Sequence, residues 1–592
     1  GRTMGYSPIN DHGLIGDLHT AGLVSAEGAI VWLPWPRFDS PSLFAALLDH
    51  ERGGIWRLAP TGITGAGQRY DGESAILVTS FVTETGRAEL YDWMSPWEGP
   101  TSEHDLCRVL RCTEGEVTVE SHFAPRPDYG LAEAALQRTA GGLAFAAHGE
   151  QFALACSHEL SVQGPAATVR ATLRAGQELR LMLRSGAPAR LDDLPREREL
   201  TAAYWDAWVA KGRYEGPWAA ELRRSAITLK LLTYAPSGAI IAAPTTSLPE
   251  WIGGVRNWDY RYTWLRDASF TLDALYRLGY RDEAVAFFRW LGEQGRRHGT
   301  PLQIMYAVDG AADLAEQTLD HLEGYMGSRP VRIGNGAYDQ RQLDVYGGVL
   351  DAAALYELEG NLLEPWQWDV LRAEIDYVCA HWQEPDHGIW EVRADKAHFT
   401  FSKLMCWLAL DRGITIAERH GWAYDRARWG ASRDAIRADL LANGWSASAR
   451  AFTQRYGSDE LDASMLVLPL VGFLPPDDPR VVSTVERIDA ALGDGPLIYR
   501  YHGDDGLEGG EGAFLLCSFW MVDALTLMGR VDEAERRFQA LLAYASPHGL
   551  LAEEADPASG AALGNYPQAF SHIGLINSAV RIAAARAGGA RT

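Results

Sequence analysis

Arg256-Asn-Trp-Asp-Tyr-Arg-Tyr-Thr-Trp-Leu-Arg-Asp267 runs directly into a helix-like stretch and belongs to a long aromatic connection, one of a set that decides the architecture of the second half of the chain. From Trp218 onward apolar residues recur at helical spacing in about twelve amphipathic stretches, beginning with Trp218 to Leu232 and ending with Gln568 to Ala585. Connections after even-numbered stretches are short, as in Gly279-Tyr-Arg-Asp282, Pro475-Pro-Asp-Asp478 and Gly529-Arg530. Those after odd-numbered stretches are long and rich in Trp, Tyr, Arg, Asp, Glu and Gly. If consecutive helices run antiparallel, every long connection falls at the same end of the bundle. Twelve helices in six hairpins close into a double-layered helical barrel. An open solenoid would need self-similar repeats of roughly 34 to 47 residues, and the chain shows none.

The composition of that segment points to what the long-loop end does. Four aromatic rings, three arginines and two aspartates share its twelve residues. Flat rings stack on the C–H faces of a pyranose, and Arg and Asp forks take its hydroxyls in pairs. Long connections inside a compact domain are usually binding loops, so a sugar-binding wall is expected here.

Up to about residue 200 the period is two. Ala75-Ile-Leu-Val-Thr-Ser-Phe-Val-Thr83, Glu116-Val-Thr-Val-Glu120 and Ala167-Thr-Val-Arg-Ala-Thr-Leu173 read as antiparallel strands between Gly, Pro and Asp turns. The expected organisation is an N-terminal antiparallel β-sandwich over residues 1–199, a helical linker over 200–215 carrying Trp205 and Trp208, and an (α/α) six-hairpin barrel over 216–592.

Charge narrows the partners. A formal net charge of -24 repels phosphate backbones and anionic membranes, so neither nucleic acid nor a membrane is expected, and a small neutral substrate fits. No run of about 18 apolar residues and no signal-peptide pattern occurs, which predicts a cytoplasmic protein. Six cysteines without metal-ligand spacing read as reduced core thiols. No phosphate loop, dinucleotide fingerprint or calcium-loop spacing is convincing, Asp504-Asp505-Gly506 reading as a turn, so no cofactor and no metal are expected.

Two acidic motifs lie in the long connections: Asp386-His-Gly-Ile-Trp-Glu391 and Gly549-Leu-Leu-Ala-Glu-Glu554. Cleaving a glycosidic bond takes one carboxyl to protonate the departing oxygen and a second to activate water or attack the sugar. Trp390 beside Glu391 could desolvate the first of these and keep it protonated near neutrality.

Tyr260-Arg-Tyr-Thr-Trp-Leu-Arg-Asp267, Gly388-Ile-Trp-Glu391 with His398-Phe-Thr400, and Glu553-Glu-Ala-Asp556 with Gly564-Asn-Tyr-Pro-Gln-Ala-Phe-Ser-His572 resemble the glucoamylase-type glycoside hydrolase family, family 15, in its bacterial and archaeal branch of exo-α-glucosidases and trehalases. The resemblance covers essentially the whole chain. It implies hydrolysis with inversion, releasing β-glucose from a non-reducing end, with Glu391 as general acid and Glu553 as general base. It further implies that Arg266 and Asp267 grip the hydroxyls of the terminal glucose, that Tyr260 and Trp264 line it, and that Arg500 reaches the sugar beyond the cleavage point. Glu554 stands where fungal members carry an amide and reads as a hydrogen-bonded helper. Arg332 is a further candidate for the pocket. Related bacterial chains often carry glutamate at the position of Gly348, so its absence is expected to alter affinity or linkage preference. The expected substrates are short maltose- or isomaltose-type α-glucosides, with α,α-trehalose as the alternative for the same machinery. A catalytically silent carbohydrate-binding protein is the reading from a different class.

Overall fold

Two kinds of helix follow from two burial patterns. Leu515–Leu527, LLCSFWMVDALTL, is apolar on nearly every side and buried along almost its whole length. Val531–Leu542, VDEAERRFQALL, buries only Ala534, Phe538 and Leu541, a single stripe. A helix apolar all round belongs inside, and one with a single stripe belongs against it.

A computed structural model describing residues 5–503, 505–507 and 510–588 builds the second half of the chain on this alternation. The helices are α1 (Leu194–Ala210), α2 (Ala219–Leu231), α3 (Ala268–Leu278), α4 (Arg281–His298), α5 (Val345–Leu358), α6 (Pro365–His381), α7 (Thr400–His420), α8 (Arg426–Asn443), α9 (Pro479–Leu492), α10 (Leu515–Leu527), α11 (Val531–Leu542) and α12 (Ala569–Arg586). An inner ring runs α3, α5, α7, a 3-10 turn at Ala463–Val467, α10, α12 and back to α3, each element packing on the next. Helices α2, α4, α6, α8, α9 and α11 lie outside it and complete an (α/α) six-hairpin barrel.

The 3-10 turn corrects the expectation of twelve helices. Among the described residues, eleven α-helices follow residue 216, and the inner place between α8 and α9 is held by this short turn. Asp462 starts it by accepting from the Ser464 amide at 2.8 Å. Pro469 and Gly472, the latter at φ 75, keep it from lengthening.

The N-terminal part is antiparallel throughout and forms one hydrogen-bonded sheet of fifteen strands folded on itself. His104–Ala124 makes the fold possible. Its first half pairs with Gly86–Met94 and Glu178–Ser185, and its second half with Ile55–Pro60 and Ala166–Arg174. Gly115, at φ 68, turns the corner between the layers, where a Cβ would lie 2.2 Å from the Thr85 carbonyl oxygen. A strand that switches sheets at a bend is how such corners are made, and Trp56, Phe123, Phe145 and Leu181 fill the space between the layers.

Helix α1 joins the two parts through buried Trp205 and Trp208. The Trp208 ring stacks on Tyr280 at 4.0 Å, and its Nε1–H donates to Glu283 at 2.8 Å. One continuous core runs from Leu14, Trp32 and Phe38 of the N-terminal part into the barrel. The six cysteines are free thiols, five of them buried. No helix among the described residues is long and apolar enough to cross a membrane. Of the turn expected at 504–506, Asp504 lies outside the described residues.

Candidate active site

Each long connection leads from an outer helix into the N-terminal end of an inner one: 232–267 into α3, 299–344 into α5, 382–399 into α7, 493–514 into α10 and 543–568 into α12. The positive dipole ends of the inner helices therefore gather at the end that carries the acidic motifs, which favours carboxylates there.

These connections enclose a hollow of about 470 Å³, the space open at its mouth included, within the range of small-molecule sites. Glu391 and Glu553, which are 162 residues apart in sequence (553 minus 391), both line it. Tyr260 and Trp264 form an aromatic corner, their rings 5.5 Å apart at 74°, and Arg266, Asp267, Trp390 and Arg500 also line the hollow. Trp264 Nε1–H donates to Glu391 Oε1 at 2.5 Å, and Arg266 Nη1 lies 3.5 Å from the same oxygen. Arg266 also donates to the Ile389 carbonyl at 2.6 Å, tying the Glu391 loop to the head of α3. Glu391 adopts φ 58, a conformation costing a bulky residue about 1 to 3 kcal/mol and typical of functional sites.

The aromatic segment shows two faces. Tyr260, Trp264, Arg266 and Asp267 face the hollow, whereas Arg261 points into the β-domain. Its guanidinium grips Asp259 at 2.9 Å twice, the Tyr129 hydroxyl at 2.8 Å and the Ser40 carbonyl at 3.1 Å. One of the Arg/Asp pairs read as sugar forks is thus a buried tie that fixes the wall to the sheet.

For four other residues the structure shows partners or surroundings that the sequence did not. Trp390 lines the hollow, but its Nε1–H donates to Asp462 at 3.0 Å and 3.1 Å, and the indole hydrogen-bonded to Glu391 is that of Trp264. Arg332 does not line the hollow. It donates to the carbonyls of Val255 and Asn257 at 2.7 Å and 3.0 Å and backs the Trp258 ring at 4.3 Å, so it supports the wall from behind. Glu554 is buried behind the hollow in a short strand paired with Ala513–Phe514 and Ala562–Leu563. Gly348 faces the head of α3, where a Cβ would lie 2.1 Å from the Arg266 carbonyl oxygen. Glycine there lets α5 approach the backbone that positions Arg266 and Asp267, and no side chain fits without moving it. Gly348→Ala is expected to lower stability by about 1 to 3 kcal/mol and to raise KM, checked by thermal unfolding and initial rates; an unchanged melting temperature and KM would remove this reading.

A second space of about 380 Å³ adjoins the first and shares Tyr260, Trp390, Glu391 and Arg500 with it. Its remaining walls include Glu250, Arg256, Trp258, Arg393 and Asp505. Arg256 holds Asp505 through two bonds of 2.6 Å and 2.8 Å, and Arg393 lies over Trp258 at 4.4 Å. None of these five was assigned from sequence. Arg256 and Trp258 lay inside the quoted segment, whereas Glu250 and Arg393 carry no motif.

Around Glu553 the polarity is concentrated. A carboxylate oxygen from each of Glu250, Glu553 and Glu554 lies within 4.8 Å of the other two, and all three residues are at most 2% exposed. Such an all-oxygen set could hold a hard cation, but Arg500, 3.5 Å from Glu250, already supplies positive charge. Burial raises the Glu553 carboxyl, offset in part by Tyr260, Glu554, Arg500 and Glu250. Burial raises Glu250 and Glu554 further. Gln568 Nε2–H donates to Glu553 Oε2 at 3.5 Å, and Gly564, where a Cβ would lie 2.7 Å from Glu553 Oε1, leaves room for the carboxylate. His572 is a satisfied core residue, as its helical position suggests: Nε2 accepts from the Leu551 amide at 3.1 Å and Nδ1 pairs with the Ser225 hydroxyl at 2.9 Å.

Comparison with known proteins matches residues 219–580 to the model of glycosyl hydrolases family 15 and residues 4–205 to that of a trehalase-like N-terminal domain. The chain is similar to a trehalase of Mycolicibacterium smegmatis, 42% identical over 98% of this chain and 91% of that one. It is also similar to a trehalase of Thermoplasma volcanium, 35% identical over 98% and 94%. Among solved structures, a bacterial glucoamylase complexed with acarbose superposes with a TM-score of 0.72 at 13% identity, over 98% of this chain and 94% of that one, a likeness of fold.

Proposed function

The chain belongs to family 15 of the glycosyl hydrolases and is a glycoside hydrolase; from that premise we propose that it is an inverting α,α-trehalase with Glu391 as acid and Glu553 as base. The observation carrying this reading is the pair of adjoining spaces that meet at Glu391, Tyr260, Trp390 and Arg500. The first offers Tyr260 and Trp264 to the face of one glucose and the Arg266–Asp267 pair to its hydroxyls. The second, walled by Trp258, Arg393 and the Arg256–Asp505 pair, offers room and polar partners for a further sugar. Whole-length similarity to trehalases supports trehalose over the maltose- and isomaltose-type substrates first expected.

Both contacts on Glu391 fall on Oε1, which leaves Oε2 to carry the proton. Glu391 gives that proton to the bridging oxygen as the C1–O bond breaks, and Glu553 takes a proton from the water whose oxygen bonds to C1 from the opposite face. One β-glucose and one α-glucose leave. Inversion of this kind requires carboxyl groups about 6.5 to 9.5 Å apart.

Initial rates on trehalose, maltose, isomaltose, kojibiose and nigerose test the substrate assignment. Trehalose is expected to exceed the others in kcat/KM by about a hundredfold or more, because a site built to bond the second sugar's hydroxyls rejects misplaced ones. A preference for maltose or isomaltose would overturn it.

A further inference from the structure

Glu250 stands in none of the motifs that carry the resemblance, yet it is the residue that joins the two spaces to the carboxylate cluster. It walls the second space, reaches Arg500 at 3.5 Å and places an oxygen within 4.8 Å of both Glu553 and Glu554. Oε1 of Glu553 and both oxygens of Glu554 are buried with no donor within hydrogen-bond distance. Buried oxygens are rarely left so. A proton held on a neighbouring carboxyl removes the anomaly, since a carboxylic acid is itself a donor.

We propose that Glu250, as a neutral acid, donates a hydrogen bond to Glu553 and is thereby a positioning residue that keeps the base charged and aimed at its water. This rests on the reading of Glu553 as the base. Three carboxylates buried this close together, facing guanidinium groups already paired to Asp505 and Glu511, cannot all ionise. The groups facing them are Arg500 and Glu511 from the connection before α10, Arg256 and Tyr260 from the aromatic segment, and Gln568 from the head of α12. Glu511 is itself ion-paired to Arg500, so the positive charge is shared. Burial raises Glu250 and Glu554 well above the usual carboxylate range, whereas for Glu553 the rise caused by burial is offset in part by its neighbours Tyr260, Glu554, Arg500 and Glu250. The charge therefore settles on Glu553 and the protons on its neighbours.

Glu250→Gln keeps a neutral donor of the same shape, and Glu250→Met keeps the shape without the donor. On trehalose, Glu250→Gln is expected to hold kcat within about tenfold of the parent with the acid limb of its pH profile nearly unmoved. Glu250→Met is expected to lose about a hundredfold or more in kcat with KM little changed. Its acid limb should move up by about one pH unit, because a carboxylate deprived of a hydrogen bond binds its proton more tightly. Equal loss in both variants would mean that a charge at 250 is needed, no loss in either that 250 is a bystander, and a KM effect alone that it touches sugar; each overturns the proposal. Thermal unfolding monitors folding, and if the Met variant does not fold, a Gln variant with less than a tenth of parental kcat or a shifted acid limb overturns it alone. Glu553→Gln measured alongside separates the two readings, since retained activity there would remove the base itself rather than its support.

Discussion

Glu391→Gln lowers kcat on trehalose by about a hundredfold to ten-thousandfold, leaves KM within a few-fold and leaves the fold intact, while keeping most of its rate on α-glucosyl fluoride. The split follows from the leaving group. A departing glucose needs a proton on its oxygen as the bond breaks, and fluoride departs without one. The isosteric amide retains an oxygen for the Trp264 and Arg266 contacts, which fall on Oε1 at 2.5 Å and 3.5 Å, so the loop keeps its place. Equal loss on both substrates would mean that the variant disturbs the pocket rather than proton donation. Full activity on trehalose would remove Glu391 from the mechanism.

Glu553→Gln is expected to cost at least as much, and on both substrates. Water attacks C1 whichever group departs, and without a base it must do so carrying its proton. The substitution also replaces the charged member of the Glu250, Glu553 and Glu554 cluster by a neutral one, so stability should be unchanged or higher. Burying one charge fewer in that place removes a desolvation cost. Thermal unfolding beside rates on trehalose and α-glucosyl fluoride checks both halves. A variant that loses trehalose activity but keeps the fluoride rate would assign the proton-donor role to Glu553 instead.

The barrel was legible because connection length is a property of the sequence. Short links such as Gly279-Tyr280 and long links such as 299–344 needed no coordinates to sort to opposite ends. The stretch at Ala463–Val467 misled because its apolar residues are all buried, as in an inner helix, while Pro469 and Gly472 limit it to one turn. The strands were legible from alternation, but not the corner at Gly115, since one glycine in a long strand looks like any turn glycine. At the site, motif residues were found and their partners were not. Trp390 stands beside Glu391 in sequence, yet the indole hydrogen-bonded to Glu391 is that of Trp264, 127 positions away. Arg332, a pocket candidate from sequence, serves as the backing of Trp258. Gly348 looked like a missing carboxylate and is instead a point of close backbone approach. Glu250 could not be read at all, because its meaning lies in the distance to Glu553 across the fold.

Proton NMR of the first turnovers on trehalose, before mutarotation, tests most directly whether Glu391 and Glu553 act across a gap that holds a water. Attack by that water yields α- and β-glucose in equal amounts, one from each half of the disaccharide. α-Glucose alone would mean retention through a covalent intermediate and carboxyl groups about 5 Å apart, and would contradict the account.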